Sequence, residues 1–317
     1  MKRSIRVCLV TRSLRLSVLL ILAALFAPLA TRAEALRGDE LRLDEMRFLG
    51  THNSFHRWPF IAFHPRHRYR HAPLTVQLER YRVRALELDL HLSLRGKYEI
   101  YHIAFIDDRS HCKAFEDCLR ELRRWSDAHP EHDPLLVWLE IKDDAGGVPI
   151  DSVRPVDAML RHELGDRLLT PDDVRGSHAT LREALETDGW PTRSEAQGRI
   201  LFLLDGDAKQ TSDYTSGYRH VRGRVMFPGA EPHQFHMGWA GVTKINDPAR
   251  PLIAAARAIR MLTTTTVCVA QLSDAECRHA RDLALRSGAN VLLDDFVSRV
   301  PGRAYHLDID EPALAER

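Results

Sequence analysis

Short apolar runs along this chain alternate with longer segments in which apolar residues recur every three or four positions. Runs of four to eight β-branched and aliphatic residues read as buried strands, and the longer spacing reads as amphipathic helix. The expected strands are MRFLG (46–50), ALELDLHL (85–92), YEIYHIAF (98–105), PLLVWLEIK (134–142) and GRILFLLD (198–205). GRVMFP (223–228), AGVTKI (240–245), TTTTVCVA (263–270) and ANVLLDDF (289–296) continue the series. Between them, CKAFEDCLRELRRWSDAH sets Phe115, Leu119, Leu122 and Trp125 on one helical face. DSVRPVDAMLRHEL carries Pro155 where an early helical position tolerates it, and DPARPLIAAARAIR is a further helix. SDAECRHARDLALRSG has Ser273 and Glu276 at capping-box spacing and Gly288 as its stop. Residues 206–222 read as one long polar loop. Strand and helix segments repeating over about 250 residues favour a parallel α/β sheet, and a single-domain (β/α)8 barrel of the TIM type, distorted or incomplete, fits that length.

The N-terminus follows a different pattern. Lys2, Arg3, Arg6, Arg12 and Arg15 precede an uncharged apolar run, Leu16 to Ala30, and small residues follow through Ala35. This is the layout of a secretory signal, so residues 1–35 are expected to be removed and 36–317 to form the barrel domain, exported to periplasm or medium. The apolar run is shorter than the ~20 residues of a spanning helix. Losing residues 1–35 takes away six basic residues and one acidic, which moves the net charge from +1 to −4. A mildly acidic chain is poorly suited to nonspecific nucleic-acid binding, which needs clustered positive charge. Beyond Cys8 in the signal, the cysteines are Cys112, Cys118, Cys268 and Cys277, an even set that suggests two disulfides in an exported protein. Three pairings exist, and the local one, 112–118 with 268–277, is the expectation. Cys112 and Cys118 within one helix would be ~9 Å apart along its axis, so their pairing requires the helix to start after Cys112.

The polar residues at strand ends carry the candidate chemistry. In barrels of this kind, groups at the C-terminal ends of the strands converge on the active site. The first strand runs into Thr51-His52-Asn53-Ser54. In the second, Glu87 and Asp89 are two apart and share one face; the third carries His102, and the fourth carries Glu140 and Lys142. Each has an ordinary counterpart: a turn for His-Asn, a surface ladder for Glu-x-Asp, an internal ion pair for Glu140 with Lys142. Together on consecutive strands they are a coherent set. Asn53, Glu87, Asp89 and Glu140 are oxygen donors, which suit Ca²⁺, with Mg²⁺ the alternative hard cation. His52 and His102 remain for proton transfer. Metal, carboxylate and two imidazoles are the parts of a phosphodiester-cleaving centre. The 55–71 stretch, FHRWPFIAFHPRHRYRH, is rich in histidine, arginine and aromatics; most of its histidines read as solvated loop residues, with a lipid- or substrate-facing rim as the sharper reading.

With these residues in place, GTHNS, ALELDLHL, YHIAF and VWLEIK resemble the X-region of phosphatidylinositol-specific phospholipase C, in particular its secreted, calcium-dependent bacterial group. The paired cysteines and Trp125 of the 112–142 stretch, LLTPDDVRG and GRILFLLDGD are similar as well, so the likeness extends over most of 45–300. The resemblance implies a distorted barrel of the phospholipase C-like phosphodiesterase superfamily, one Ca²⁺ on Asn53, Glu87, Asp89 and Glu140, and His52 and His102 as catalytic histidines. Glu87 or Glu140, or a histidine, is the implied proton acceptor, and Lys142 either contacts the phosphate or neutralises Glu140 or Asp143. It departs from the group at IRMLTTTTVC, where Arg260 is the one positive charge, which leaves a phosphate contact from that strand in doubt. The implied substrate is a phospholipid or other phosphodiester, with transient membrane-surface contact and a monomeric chain. The rival readings are a sphingomyelinase D-like or glycerophosphodiester phosphodiesterase, and a non-catalytic Ca²⁺-dependent lipid-binding protein.

Overall fold

The computed structural model describes residues 38–142 and 147–309. The signal segment and Asp143 lie outside the described residues. The chain divides into Met1–Leu41 and Arg42–Arg317, and the second unit holds the fold. Its strands are β1 (Phe48–Thr51), β2 (Ala85–Leu92), β3 (Tyr98–Ile100), β4 (Leu135–Ile141), β5 (Ile200–Asp205), β6 (Phe227–Pro228), β7 (Val242–Lys244), β8 (Leu262–Cys268) and β9 (Val291–Asp294). Eight are parallel neighbours in the order β6-β5-β4-β2-β1-β9-β8-β7. The ends β6 and β7 meet through one bridge, Gly229 with Val242, and Ala230 N–H donates to Val242 O at 2.9 Å. The result is a nearly closed barrel.

Hydrophobic alternation on β2 decides what faces where. Leu86, Leu88 and Leu90 point outward into a core shared with Phe115, Leu119, Leu122 and Leu160 of the covering helices, Phe115–Ala128 and Arg154–Leu164. Glu87 and Asp89, one residue out of phase, are thereby turned into the barrel. The interior is filled partly by Trp138, whose Nε1 donates to Thr264 Oγ1 at 2.9 Å across the barrel. Thr263, Thr264 and Thr265 are buried, so the threonine run is core filling.

The helix Phe115–Ala128 starts after Cys112, and Cys112 bonds to Cys118 and Cys268 to Cys277, the local pairing. Two expectations change. The third strand ends at Ile100 rather than 105; β3 pairs antiparallel with β2, with only a single bridge, Glu99 to Ala114, on its other edge, and residues 103–107 fold into a tight turn in which Ile103 and Asp107 exchange backbone hydrogen bonds. His102 is therefore presented from that turn and not from a barrel strand. Residues 206–222 are not one loop, because Ala208–Tyr214 is helical with a reciprocal capping box between Asp207 and Gln210. The helices Leu74–Arg80, Pro171–Arg175 and Leu181–Thr187 were not expected, being too short to show a full apolar period. Among the described residues no helix is long and apolar enough to cross a membrane.

At the N-terminal end of the barrel, fully buried Asn290 ties three segments. Its amide oxygen accepts from Thr263 N–H (3.1 Å) and Oγ1 (3.0 Å), and its nitrogen donates to the carbonyls of Asp44 and Met46 (3.0 Å each). Asn290→Ala is expected to cost about 2–3 kcal/mol in denaturant unfolding, because buried partners lose their bonds. Turnover should be unchanged, since this end of the barrel lies opposite the strand ends that carry the site.

Candidate active site

The chain leaves β1 through a turn built for presentation. Asn53 sits at φ 48°, a left-handed conformation that asparagine tolerates better than most residues. Ser54 Oγ donates to Thr51 O (2.9 Å) and accepts from Glu87 N–H (2.8 Å). Gln77 clamps the same turn, accepting from Thr51 Oγ1 (2.7 Å) and donating to Ser54 O (2.7 Å). Turn chemistry and site chemistry coincide here, for the turn aims His52 and Asn53 at β2.

Parallel register then aligns acidic residues. Asp89 of β2 pairs with Glu140 of β4, and Glu140 with Asp205 of β5. Like charges opposite one another repel, and two lysines offset them. Lys244 Nζ, at the end of β7, donates to Glu87 Oε1 (2.6 Å), Asp205 Oδ2 (2.8 Å) and Glu140 Oε2 (3.3 Å). Lys142 Nζ donates to Glu140 and lies 3.5 Å from Asp89 Oδ2. Burial works against Glu87 ionising, yet Lys244 and His52 outweigh it and draw its carboxyl down to about 2. Burial dominates at Asp89 and, with Glu140 nearby, pushes it up to about 7 despite Lys142.

The cluster fits a hard divalent cation on its own terms. Four carboxylates meet two lysines, which leaves two negative charges, the complement of one Ca²⁺. One end of the Asn53 amide lies 3.0 and 3.3 Å from the two oxygens of Asp89, and the other lies 3.0 Å from the Tyr69 hydroxyl. With nitrogen toward Asp89 the amide donates to it; with oxygen toward Asp89 it would add one more oxygen donor to the set that could hold a cation.

Two imidazoles flank this cluster, each oriented by a carboxylate. His52 Nδ1 donates to Asp295 Oδ1 at 2.8 Å, and Asp295 Oδ2 accepts from Ala270 N–H at 2.6 Å. The other ring nitrogen of His52 lies 3.9 Å from Glu87. Burial disfavours the His52 charge, but Asp295 and Glu87 override it and raise its pKa to about 9. His102 Nδ1 donates to Asp107 Oδ2 at 2.8 Å, and buried His56 holds the same carboxylate through Nε2 at 2.9 Å from both oxygens. Tyr69 links the two halves, stacking on His56 with centroids 4.1 Å apart while its hydroxyl meets Asn53. His102 is near enough for its charge to act on Asp89.

The structure thus brings together His52, Asn53, Glu87, Asp89, Glu140 and Lys142, with His102 alongside. The sequence reading missed Lys244, Asp205, Asp295, Asp107, His56 and Tyr69. Three of these end expected strands (AGVTKI, GRILFLLD, ANVLLDDF), so the strand-end rule applied to every strand would have found them. Arg260 precedes β8 at the opposite end, where Trp190 Nε1 donates to its carbonyl at 2.8 Å. The cation on that side of the site is Lys244. The histidines of 55–71 are not mostly solvated: His56, His67 and His71 are buried, and His71 Nε2 donates to His52 O at 2.8 Å.

Fold and site define a phosphodiesterase barrel of the phospholipase C-like class. A family model, phosphoinositide phospholipase C, Ca²⁺-dependent, matches residues 94–315. The chain belongs to this family, and it is an enzyme of the phosphodiesterase class. The match begins downstream of His52, Asn53, Glu87 and Asp89. A Ca²⁺-dependent phosphatidylinositol-specific phospholipase C from Streptomyces antibioticus is similar in structure: TM-score 0.61 and 22% identity, over 81% of this chain and 95% of that one. A calcium-dependent phosphoinositol-specific phospholipase C from a Pseudomonas species, solved in apo form, gives TM-score 0.60 and 17% identity over 84% of this chain and 94% of that one. At these identities they establish the shared fold. No curated protein matches the chain.

In the Ca²⁺-free protein His52 should titrate near 9 by NMR, and Asp295→Asn should lower that value by more than one unit. The sign for folding follows: this pair's contribution is complete below about 6.5, the ordinary histidine value, and disappears as pH rises through about 9.

Proposed function

We propose that this protein cleaves phosphatidylinositol, or a closely related phosphodiester, by attack of a head-group hydroxyl on the neighbouring phosphate, releasing diacylglycerol and a cyclic inositol phosphate. The observation that carries this reading is the oxygen-donor cluster lying between two imidazoles, His52 on Asp295 and His102 on Asp107. Asn53, Glu87, Asp89 and Glu140 would hold Ca²⁺, which when bound supplies Lewis-acid stabilisation of charge on the attacking hydroxyl and the phosphate oxygens.

The rest is done by the chain itself. Glu140 accepts the hydroxyl proton: its side chain, though paired with Lys142 and Lys244, is 28% exposed and open to an incoming hydroxyl, whereas that of Glu87 is 1% exposed. His52, kept cationic by Asp295, donates to a phosphate oxygen as negative charge builds there. His102, held by Asp107, gives its proton to the departing diacylglycerol oxygen. Lys142 and Lys244 add positive charge at the phosphate. A binder would need the oxygen donors but no carboxylate-oriented imidazole, and this disfavours the non-catalytic reading. The protein acts as an exported monomer.

Its substrate lies in a membrane, and the rim beside His102 suits one. Phe60 (88% exposed), Ile61, Phe63 and Phe105 (88% exposed) project into solvent. Phe105 does so from a left-handed backbone, φ 65°, at the tip of the 103–107 turn. Arg109 joins the two loops, packing 4.5 Å from the centre of the Phe60 ring and donating to Trp58 O at 3.0 Å. An apolar tip fringed by arginine suits transient contact with an anionic lipid surface.

Product analysis on phosphatidylinositol vesicles tests the assignment. Cyclic inositol phosphate should form with Ca²⁺ and not with chelator; choline or glycerol release from other phosphodiesters instead would keep the site and change the substrate. His52→Ala and His102→Ala should each lower kcat by about 10²–10⁴-fold. For His102→Ala most of that loss should vanish on a substrate with an acidic phenol leaving group, which needs no protonation. Phe60→Ser with Phe105→Ser should cut turnover of vesicles at least tenfold while sparing a short-chain soluble substrate. Equal loss on both would sink the membrane role.

A further inference from the structure

The side chains that orient His102 have a second chemical capacity. His56, His102 and Asp107 each offer a ligand atom, all within 4.8 Å of one another, the group of this kind found among the described residues. His56 and Asp107 are fully buried, and His102 is open to solvent on one side, which gives an ion a way in. We propose that these three residues form a second metal site, for divalent ions of the zinc class, and that its occupancy switches the enzyme off. The inference rests on the reading of His102 as proton donor.

Donor chemistry separates this site from the acidic cluster. Two imidazole nitrogens and one carboxylate suit zinc, and they are poor ligands for Ca²⁺. At ordinary Zn–N and Zn–O distances, ligand atoms around a tetrahedral ion are ~3.3 Å apart. The nitrogen–oxygen contacts here are 2.8–2.9 Å, so the ring nitrogens need to open by only about half an ångström around an ion that replaces the shared protons.

A third imidazole stands beside them. His67 is only 5% exposed to solvent, and its Nδ1 has no hydrogen-bond partner among the described residues. Its ring centre lies 5.8 Å from that of His102, edge to face, and the Asp107 charge acts on it. A buried polar nitrogen without a partner is costly, and a metal ligand or metal-bound water would satisfy it.

Occupancy would disable the chemistry at a defined atom. The ion takes Nδ1 of His102, the nitrogen that now donates to Asp107, and the protons shared with that carboxylate leave to solvent. His102 keeps a hydrogen on its other nitrogen, but a neutral imidazole on a metal is a far weaker acid than imidazolium, so the leaving oxygen is no longer protonated. Because the Ca²⁺ ligands are untouched, Ca²⁺ does not compete.

The test uses the full mature protein, stripped of transition metals and saturated with Ca²⁺. Calorimetry with Zn²⁺ should show one equivalent bound, and Co²⁺ should give the visible absorption of a four-coordinate, nitrogen-containing site. His67→Ala should weaken Zn²⁺ binding at least tenfold, His56→Gln should abolish it, and inhibition should persist under a hundredfold increase in Ca²⁺. If His56→Gln does not fold, Zn²⁺-dependent shifts of the His56 and His102 ring resonances in the unaltered protein answer the same question. Failure of the Ca²⁺-loaded protein to bind Zn²⁺, or binding that Ca²⁺ displaces in proportion, overturns the site. Zn²⁺ binding at these histidines in a protein that hydrolyses no phosphodiester would instead overturn the catalytic reading and leave the site standing.

Discussion

Burial of negative charge at the mouth of the barrel is the constraint around which this molecule is arranged. Glu87 and Asp89 are fully inside, Glu140 and Asp205 stand in register beside them, and Asn53 and Tyr69 close the ring. A carboxylate taken out of water costs several kcal/mol unless its charge is met. Lys244 does most of this, reaching Glu87, Glu140 and Asp205 at once, and Lys142 covers the Asp89–Glu140 side. Two lysines are too few for four carboxylates. The remaining deficit is what makes the cluster receptive to a divalent cation, whose charge would in turn offset that of an anionic phosphate.

The imidazoles are placed by the same logic applied locally. Each is pinned through Nδ1 to a carboxylate, which fixes the ring and leaves the opposite nitrogen free, in His52 3.9 Å from Glu87. The two supports differ in kind. Asp295 is anchored by a backbone amide at the end of a barrel strand, whereas Asp107 sits on a turn and is shared with His56. A support built from two histidines and a carboxylate is also a ligand set for borderline cations of the zinc class, so the proposed proton delivery and the proposed metal control draw on one arrangement. The turn that carries Asp107 also thrusts Phe105 outward, joining the support of His102 to the exposed apolar rim.

Class and family were open to the sequence. Short apolar runs separated by helical periods favour a parallel barrel: PLLVWLEIK is the near-continuous apolar run of a strand buried on both faces, while the alternation of ALELDLHL, with a phase of two, places Glu87 and Asp89 together on one face. Oxygen-only donors on consecutive strand ends specify a hard cation without any knowledge of neighbours. The local cysteine pairing was the expectation among three, on the condition that the helix start after Cys112, and the helix beginning at Phe115 meets that condition.

What tertiary structure alone decided are the partners that complete each group across long sequence distances. Lys244 is 157 residues from Glu87, and Asp295 is 243 from His52. No periodicity links them; they meet because barrel closure places β7 across from β2 and β9 beside β1. His102 lies beside a turn because Ile103 and Asp107 bond to each other rather than to a neighbouring strand, a matter of pairing and not of β-propensity. His56, His67 and His71 are buried because the loop that carries them folds back over the barrel mouth, and a polar sequence cannot announce that. Local chemistry is encoded by residue type and phase, while the pairing of charges depends on which strand ends the closed barrel brings face to face.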